Sequence, residues 1–218
     1  AQEAELLRIL AGCRFTWNHF LERKQAHYFE KRANISYRII ALELTQLRKT
    51  AKELEGIQLA PLHQALRRLE KAYTQFFRKK SDLPKLKSEW DNKQSFQKSK
   101  DWRIDGKKIK VQQNLIIKTR GRLPNETSKL GTLVVKYEAG RWYASICVQE
   151  DVSVPRRYTK PIGIDVGITS LATTSKGKKY EATKPSYDLY HQMRKLQQQF
   201  ARQQMGSKRR EATRLAIA

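Results

Sequence analysis

The chain has 218 residues, with 45 Lys and Arg against 21 Asp and Glu and a formal net charge of +24. No run approaches the roughly 20 apolar residues a membrane helix needs, and the opening AQEAELLRIL is amphipathic, not an apolar leader core. Two cysteines, Cys13 and Cys147, exclude a disulfide-rich scaffold and supply no CxxC pair, so a reducing compartment is the natural reading.

The first 80 residues predict a small helical module. Leu6, Leu7, Leu10, Cys13, Trp17 and Phe20 or Leu21 recur at three- and four-residue steps, with Gly12 as a candidate joint. Asn34 to Ser36 reads as a stop and a new N-cap at Ser36, and Tyr37, Ile40, Leu44 and Leu47 share a face of the next helix. That helix fades at Gly56. Another opens near Pro61, a residue favoured in a first turn, and carries Leu62, Leu66, Leu69, Tyr73 and Phe76 as its buried stripe. Residues 81–101 lack a period and are broken by Pro84, so they read as a connector lying along a ligand. From Trp102 the pattern changes to short strands. Asp105-Gly106 and Ala139-Gly140 mark two hairpins, and Val135, Tyr137, Trp142, Ala144, Ile146 and Val148 can alternate onto buried faces. Residues 81–154 thus predict a connector and a small barrel or curled sheet.

Residues 155–161, with Pro155 and Arg156-Arg157, read as a linker to a third unit over 162–218. That unit predicts a strand through Asp165, a strand from Thr169 to Thr174, a turn at Lys176-Gly177 and a strand from Tyr180 to Thr183. An amphipathic helix marked by Tyr190, Met193, Leu196 and Phe200 follows, then the basic GSKRR and a further helical run. The fold class expected is α+β with several modules. The chain opens inside one helical pattern and stops inside another, so both ends read as abrupt, as in a truncated or partly ordered piece of a longer protein or in a degenerate one.

The charge needs a polyanion to offset its self-repulsion, and nucleic acid is the commonest one. Between Arg67 and Arg120 there are 17 Lys or Arg against 6 Asp or Glu, interleaved with Tyr73, Phe76, Phe77, Trp90, Phe96 and Trp102. Cations follow a phosphate backbone while aromatic faces stack on unpaired bases. The helical spacing of Tyr73, Phe76 and Phe77 assigns them to a core. Trp90, Phe96 and Trp102 stay open between base or sugar stacking and packing.

Asp165 stands out in IGIDVG, an apolar strand flanked by Gly163 and Gly167. A carboxylate there is costly to bury unless a cation holds it, and the glycines would let a large ligand approach the backbone. A divalent metal accounts for both features, and a strand-end carboxylate paired with Lys or Arg accounts for the first. One acid cannot clamp two ions and a scissile phosphate. The four histidines, His19, His27, His63 and His191, form no metal motif, and no GxxxxGK[ST] loop is present.

CRFTWNHFLERK (Cys13 to Lys24), LHQALRRLEKAYTQFFRK (Leu62 to Lys79), IGIDVGITSLATTSKGKKY (Ile162 to Tyr180) and LQQQFARQQMGSKRREATRLAIA (Leu196 to Ala218) resemble the TnpB (OrfB) proteins of insertion sequences. Those are relatives of the compact type V CRISPR effectors. The resemblance implies a helical recognition module, a β-barrel wedge domain and the first part of a RuvC-like nuclease domain of the RNase H type. It implies a guide RNA and a target DNA as partners, with the protein reading a short motif beside the target. It makes Asp165 the first catalytic, metal-binding aspartate, with Mg²⁺ or Mn²⁺ as the cofactor. Zinc would belong only to a CxxC…CxxC insert that, like the later acidic residues, falls beyond Ala218. It places Tyr37, His63 and Gln64 where the target-adjacent motif is read. An amide such as Gln64 can pair with an adenine edge, although a solvated helix face explains it equally. Arg67, Arg68, Lys71, Lys85, Lys87, Lys107 and Lys108 become expected phosphate contacts. The expected setting is the cytoplasm, with the nucleoid and no membrane. Two alternatives stand beside a nuclease: a guided, cleavage-inactive repressor of the same ancestry, and an RNA-binding protein of ribosomal type.

Overall fold

The structure is a computed structural model and describes residues 2–91, 93–124, 128–149, 161–181 and 185–217, without the side chains of Lys93 and of residues 185–188. The chain divides into two compact units, Ala1–Glu150 and Asp151–Ala218.

In the first unit, α1 runs unbroken from Gln2 to Lys31 and buries Leu6, Ile9, Leu10, Cys13, Trp17, Phe20 and Leu21. Gly12 is not a joint. It sits in the middle of α1 where a Cβ would come 2.3 Å from the Ile57 Cδ1, so its missing side chain lets the 52–57 segment close on the helix. α2 (Tyr37–Thr50) follows the N-cap Ser36, which makes no side-chain cap bond. Ile35 and Ile40, buried in the same core, occupy the two positions of a hydrophobic staple and fix the entry angle instead. α3 (Leu59–Phe77) has Pro61 in its first turn and buries Leu62, Leu66, Leu69 and Tyr73.

Part of the expected connector is a strand. β1 (Lys93–Lys98) pairs antiparallel with β5 (Lys129–Glu138), which pairs with β6 (Arg141–Gln149). The sequence hides β1 because one of its two inward residues is Lys98, which is 1% exposed and donates to the Gln58 Oε1 at 2.6 Å and to the Val111 carbonyl. β2 (Arg103–Asp105), β3 (Lys108–Gln112) and β4 (Leu115–Lys118) form a second three-stranded sheet. Among the described residues of the first unit the strands therefore form two separate three-stranded sheets, and the expected small barrel is not closed. Ala144, expected inward, is exposed.

Helices and sheets share one core, which runs from Leu6 through Leu66 and Phe96 to Ile109, Leu133 and Val135. A division at residue 80 is thus not a division of the core. Residues 83–88 are pinned along α1: the Trp17 Nε1 donates to the Lys85 carbonyl (3.0 Å), and Asn18 exchanges two bonds with the Lys87 backbone (2.9 and 2.8 Å).

The second unit holds a small antiparallel sheet of β7 (Ile164–Asp165), β8 (Ala172–Thr174) and β9 (Lys179–Tyr180), and two helices, α4 (Pro185–Arg202) and α5 (Lys208–Ile217). The strands are shorter than the sequence pattern predicts. Residues 155–160 of the expected linker and 182–184 at the end of the expected last strand lie outside the described residues. Arg210 ties the two helices, donating to the Gln203 carbonyl at 2.7 Å with its guanidinium 4.1 Å from the Phe200 ring centre. No helix among the described residues is long and apolar enough to cross a membrane.

Candidate nucleic-acid interface

The apolar stripe of α3 turns its opposite flank outward, and that flank carries His63, Gln64, Arg67 and Lys71 at helical steps. The start of α2 brings Tyr37 against it. The Tyr37 hydroxyl is 3.3 Å from the His63 Nδ1, and the Arg67 guanidinium lies 5.3 Å from the centre of the Tyr37 ring. Desolvation, helped by the Arg67 charge, holds His63 below the usual imidazole range and favours its neutral form. Gln64 donates from its Nε2 to the Ser99 Oγ at 3.0 Å on the exposed surface. The three motif-reading candidates therefore share one surface with Arg67. They form a patch of hydrogen-bonding groups beside a cation.

The expected phosphate contacts divide into two sets. Arg67, Lys71, Lys85, Lys107 and Lys108 are exposed. Arg68 instead spans α3 and β1, donating to the Ser95 carbonyl and Oγ, both at 3.2 Å. Lys87 lies over the Trp17 ring, 3.8 Å from its centre, and burial with the nearby Arg68 charge lowers it to about 8. Lys107 and Lys108 sit at the β2–β3 turn on the other sheet.

The three open aromatics also separate. Trp90 is 73% exposed and offers its face to solvent. Phe96 is 2% exposed on β1, so its ring belongs to the core and is closed to a base. Trp102 is half-buried and packs against that core. The polar sequence around Phe96 concealed an ordinary inward strand position.

Two cationic groups that the sequence did not single out also hold this face. Lys24 is 2% exposed and reaches the Asn34 Oδ1 and the Ile35 carbonyl, both at 2.8 Å, and the Glu70 carboxylate at 2.9 Å. It joins α1, the turn into α2, and α3. Arg14 donates to the Gln94 Oε1 at 3.1 Å and links α1 to β1. Their only sequence signal is that each adjoins the apolar stripe of α1.

In the second unit Asp165 lies on the two-residue β7, paired with Thr173. It is exposed, and so are Ile164, Val166 and Ile168 around it. The expectation of a carboxylate buried in an apolar strand is thereby corrected: two paired residues cannot cover the strand's faces. Beside it a Cβ at Gly163 would stand 3.5 Å from Ser175 and one at Gly167 3.4 Å from the Ser170 carbonyl, ordinary contact distances, and the Ser175 hydroxyl accepts from the Gly163 N–H at 3.1 Å. Among the described residues no group of three or more His, Cys, Asp or Glu could hold a metal ion. Asp165 alone supplies one hard-oxygen side chain, so these residues do not complete a divalent-ion site.

Residues 145–218 match the OrfB_IS605 family model, described as "Probable transposase". Across its whole length the chain is 31% identical to a Streptomyces pristinaespiralis protein named "Putative RNA-guided DNA endonuclease", of which it covers 56%. It is 29% identical over 92% of its length to the Escherichia coli (strain K12) "Putative RNA-guided DNA endonuclease InsQ", of which it covers 51%. The chain spans about half the length of these curated relatives.

Proposed function

We propose that this chain, whose residues 145–218 match the OrfB family model and which aligns over most or all of its length with proteins named RNA-guided DNA endonucleases, is the nucleic-acid-binding portion and the first catalytic portion of a transposon-associated RNA-guided DNA endonuclease. The observation that carries the reading is the surface on α2 and α3. Tyr37 and His63, 26 positions apart in sequence, meet with Arg67 over the Tyr37 ring, and Gln64 follows His63 on the same helix. Bidentate amide contact at Gln64 would read a base of the target-adjacent DNA, and Arg67 and Lys71 would hold its backbone. Lys85, Lys107, Lys108 and the exposed Trp90 would follow the guide RNA.

Asp165 is the catalytic candidate, and hydrolysis supported by Mg²⁺ or Mn²⁺ is proposed for the longer protein. The remaining acidic ligands would come from outside the described residues. The 218 residues alone are expected to bind RNA without cutting DNA. The test uses the longer protein with its RNA and a plasmid library randomised beside the target. Cleavage that depends on divalent ions, is lost in Asp165→Ala with RNA binding retained, and relaxes at one motif position in Gln64→Ala supports the proposal. RNA-directed DNA binding without cleavage, unchanged by Asp165→Ala, would favour the guided repressor. RNA binding with no DNA targeting would favour the ribosomal-type reading.

A further inference from the structure

A cavity of about 110 Å³ opens in the first unit where α1, α3, residues 87–91 and β1 meet, with Arg14, Arg68, Lys87 and Asp91 among its lining residues. Three of these segments bring three cations and one carboxylate to one small cleft, and β1 adds uncharged residues. Asp91 accepts from the Ser88 N–H at 3.1 Å and keeps a negative charge that acts on Lys87. Arg68 is held by the neutral Ser95, and Lys87 by the face of Trp17. Among the described residues the carboxylate nearest any of the three cations is that of Glu89, 3.9 Å from Arg14.

Three cations against the carboxylates of Asp91 and Glu89 leave one positive charge in excess, which a bound anion would offset. Their chemistry suits a tetrahedral anion: two planar guanidiniums carry several N–H donors and the ammonium adds a point charge. We infer that this cleft is a seat for a single phosphate group. The phosphate would be a backbone phosphate of bound RNA, in which case the inference rests on the function proposed above, or a free inorganic phosphate.

The groups facing Lys87 set its response. From α1 come Cys13, whose thiol burial pushes up to about 12 and so keeps neutral, and Arg14. Arg68 comes from α3 and Asp91 from the same segment, while β1 contributes the uncharged Gln94 and Ser95. A phosphate among them would favour the charged ammonium and raise its midpoint from about 8.

The experiment follows the Lys87 side-chain resonance against pH in the 218-residue chain. It is run alone, with a single-stranded RNA 12-mer, and with sodium phosphate at matched ionic strength. RNA is expected to raise the midpoint by about one unit, as a facing opposite charge does. Lys87→Gln, its fold checked by circular dichroism, is expected to bind RNA about three- to tenfold more weakly. The slope of log affinity against log salt should fall by about 1, the signature of one lost phosphate contact. A shift with inorganic phosphate but not with RNA supports the seat and assigns it to the free ion. No shift with either overturns the seat even if RNA binds elsewhere. If RNA does not bind at all, the proposed function fails, and the phosphate arm still decides the cleft.

Discussion

Gly12 shows how one missing methyl group sets the spacing of two segments. A Cβ there would meet the fully buried Ile57 at 2.3 Å and stand 3.5 Å from the Glu53 carbonyl. Helix propensity favours replacing the glycine by about 1 kcal/mol, whereas overpacking a close-packed core costs about 1–3 kcal/mol. For a branched side chain the second effect wins. Gly12→Val is expected to lose about 1–2 kcal/mol, read as a lower midpoint in urea unfolding. The buried ionisable groups predict a pH signature. The ammonium of Lys87 is lowered to about 8 in the folded chain, so between pH 8 and the ordinary lysine range the unfolded state binds more protons. Stability therefore rises with pH through that window. Cys13 acts in the opposite sense, because its folded thiol keeps its proton to about 12. Its contribution is complete below the ordinary thiol range and is lost as pH climbs from about 9 towards 12. Lys87→Gln is expected to flatten the rise from pH 8 to 9, and Cys13→Ala to remove part of the fall above it, both measured by urea titrations at stepped pH.

Among the elements, α1 organises the first unit. Its apolar stripe was readable from the three- and four-residue steps of Leu6, Leu10, Cys13 and Trp17, but its polar flank decides where the chain goes next. Asn18 holds the Lys87 backbone through two hydrogen bonds, and Trp17 holds the Lys85 carbonyl. These bonds satisfy a segment that has no regular structure of its own. Asn18→Ala leaves the Lys87 N–H and carbonyl without those partners, at a cost of about 1–2 kcal/mol. The Lys87 amide is expected to exchange its hydrogen at least tenfold faster, and unchanged exchange would show that α1 does not hold the segment. The β5–β6 hairpin turns at Ala139 and Gly140, whose φ values of 51° and 72° both lie in the left-handed region. That is the type I′ pattern, and it explains why the Ala-Gly pair was visible as a turn. Gly140→Val is expected to cost about 1–2 kcal/mol, because a branched residue is strained at that φ, and should lower the thermal midpoint by several degrees.

For the molecule as a whole, +24 on 218 residues makes electrostatics the first-order term in any interaction. Lys85, Lys107 and Lys108, proposed to follow the guide RNA, are exposed, so RNA affinity is expected to fall steeply with ionic strength. Six to ten phosphate contacts would weaken it by about 10³ to 10⁵ between 50 and 200 mM salt. Lys107→Gln together with Lys108→Gln should lower the salt slope of RNA binding by about 2, one for each contact removed. A flat salt dependence would exclude these cations as the RNA track.

Composition and short-range pattern settle the charge, the helical first third, the two hairpin turns and the motifs shared with the transposon proteins, because those depend on residues a few positions apart. The burial of Phe96, the use of Lys98 as an inward strand residue and the engagement of Arg68 and Lys87 were not available from that pattern. Neither were the separation of the strands into two sheets and the exposure of Asp165. Each depends on which distant segment covers a residue, and a local sequence carries no record of its cover. The same reason explains the cation cleft: Arg14, Arg68 and Lys87 are unremarkable charges along the chain, and only packing of α1, α3 and β1 into one core brings them to a common cavity.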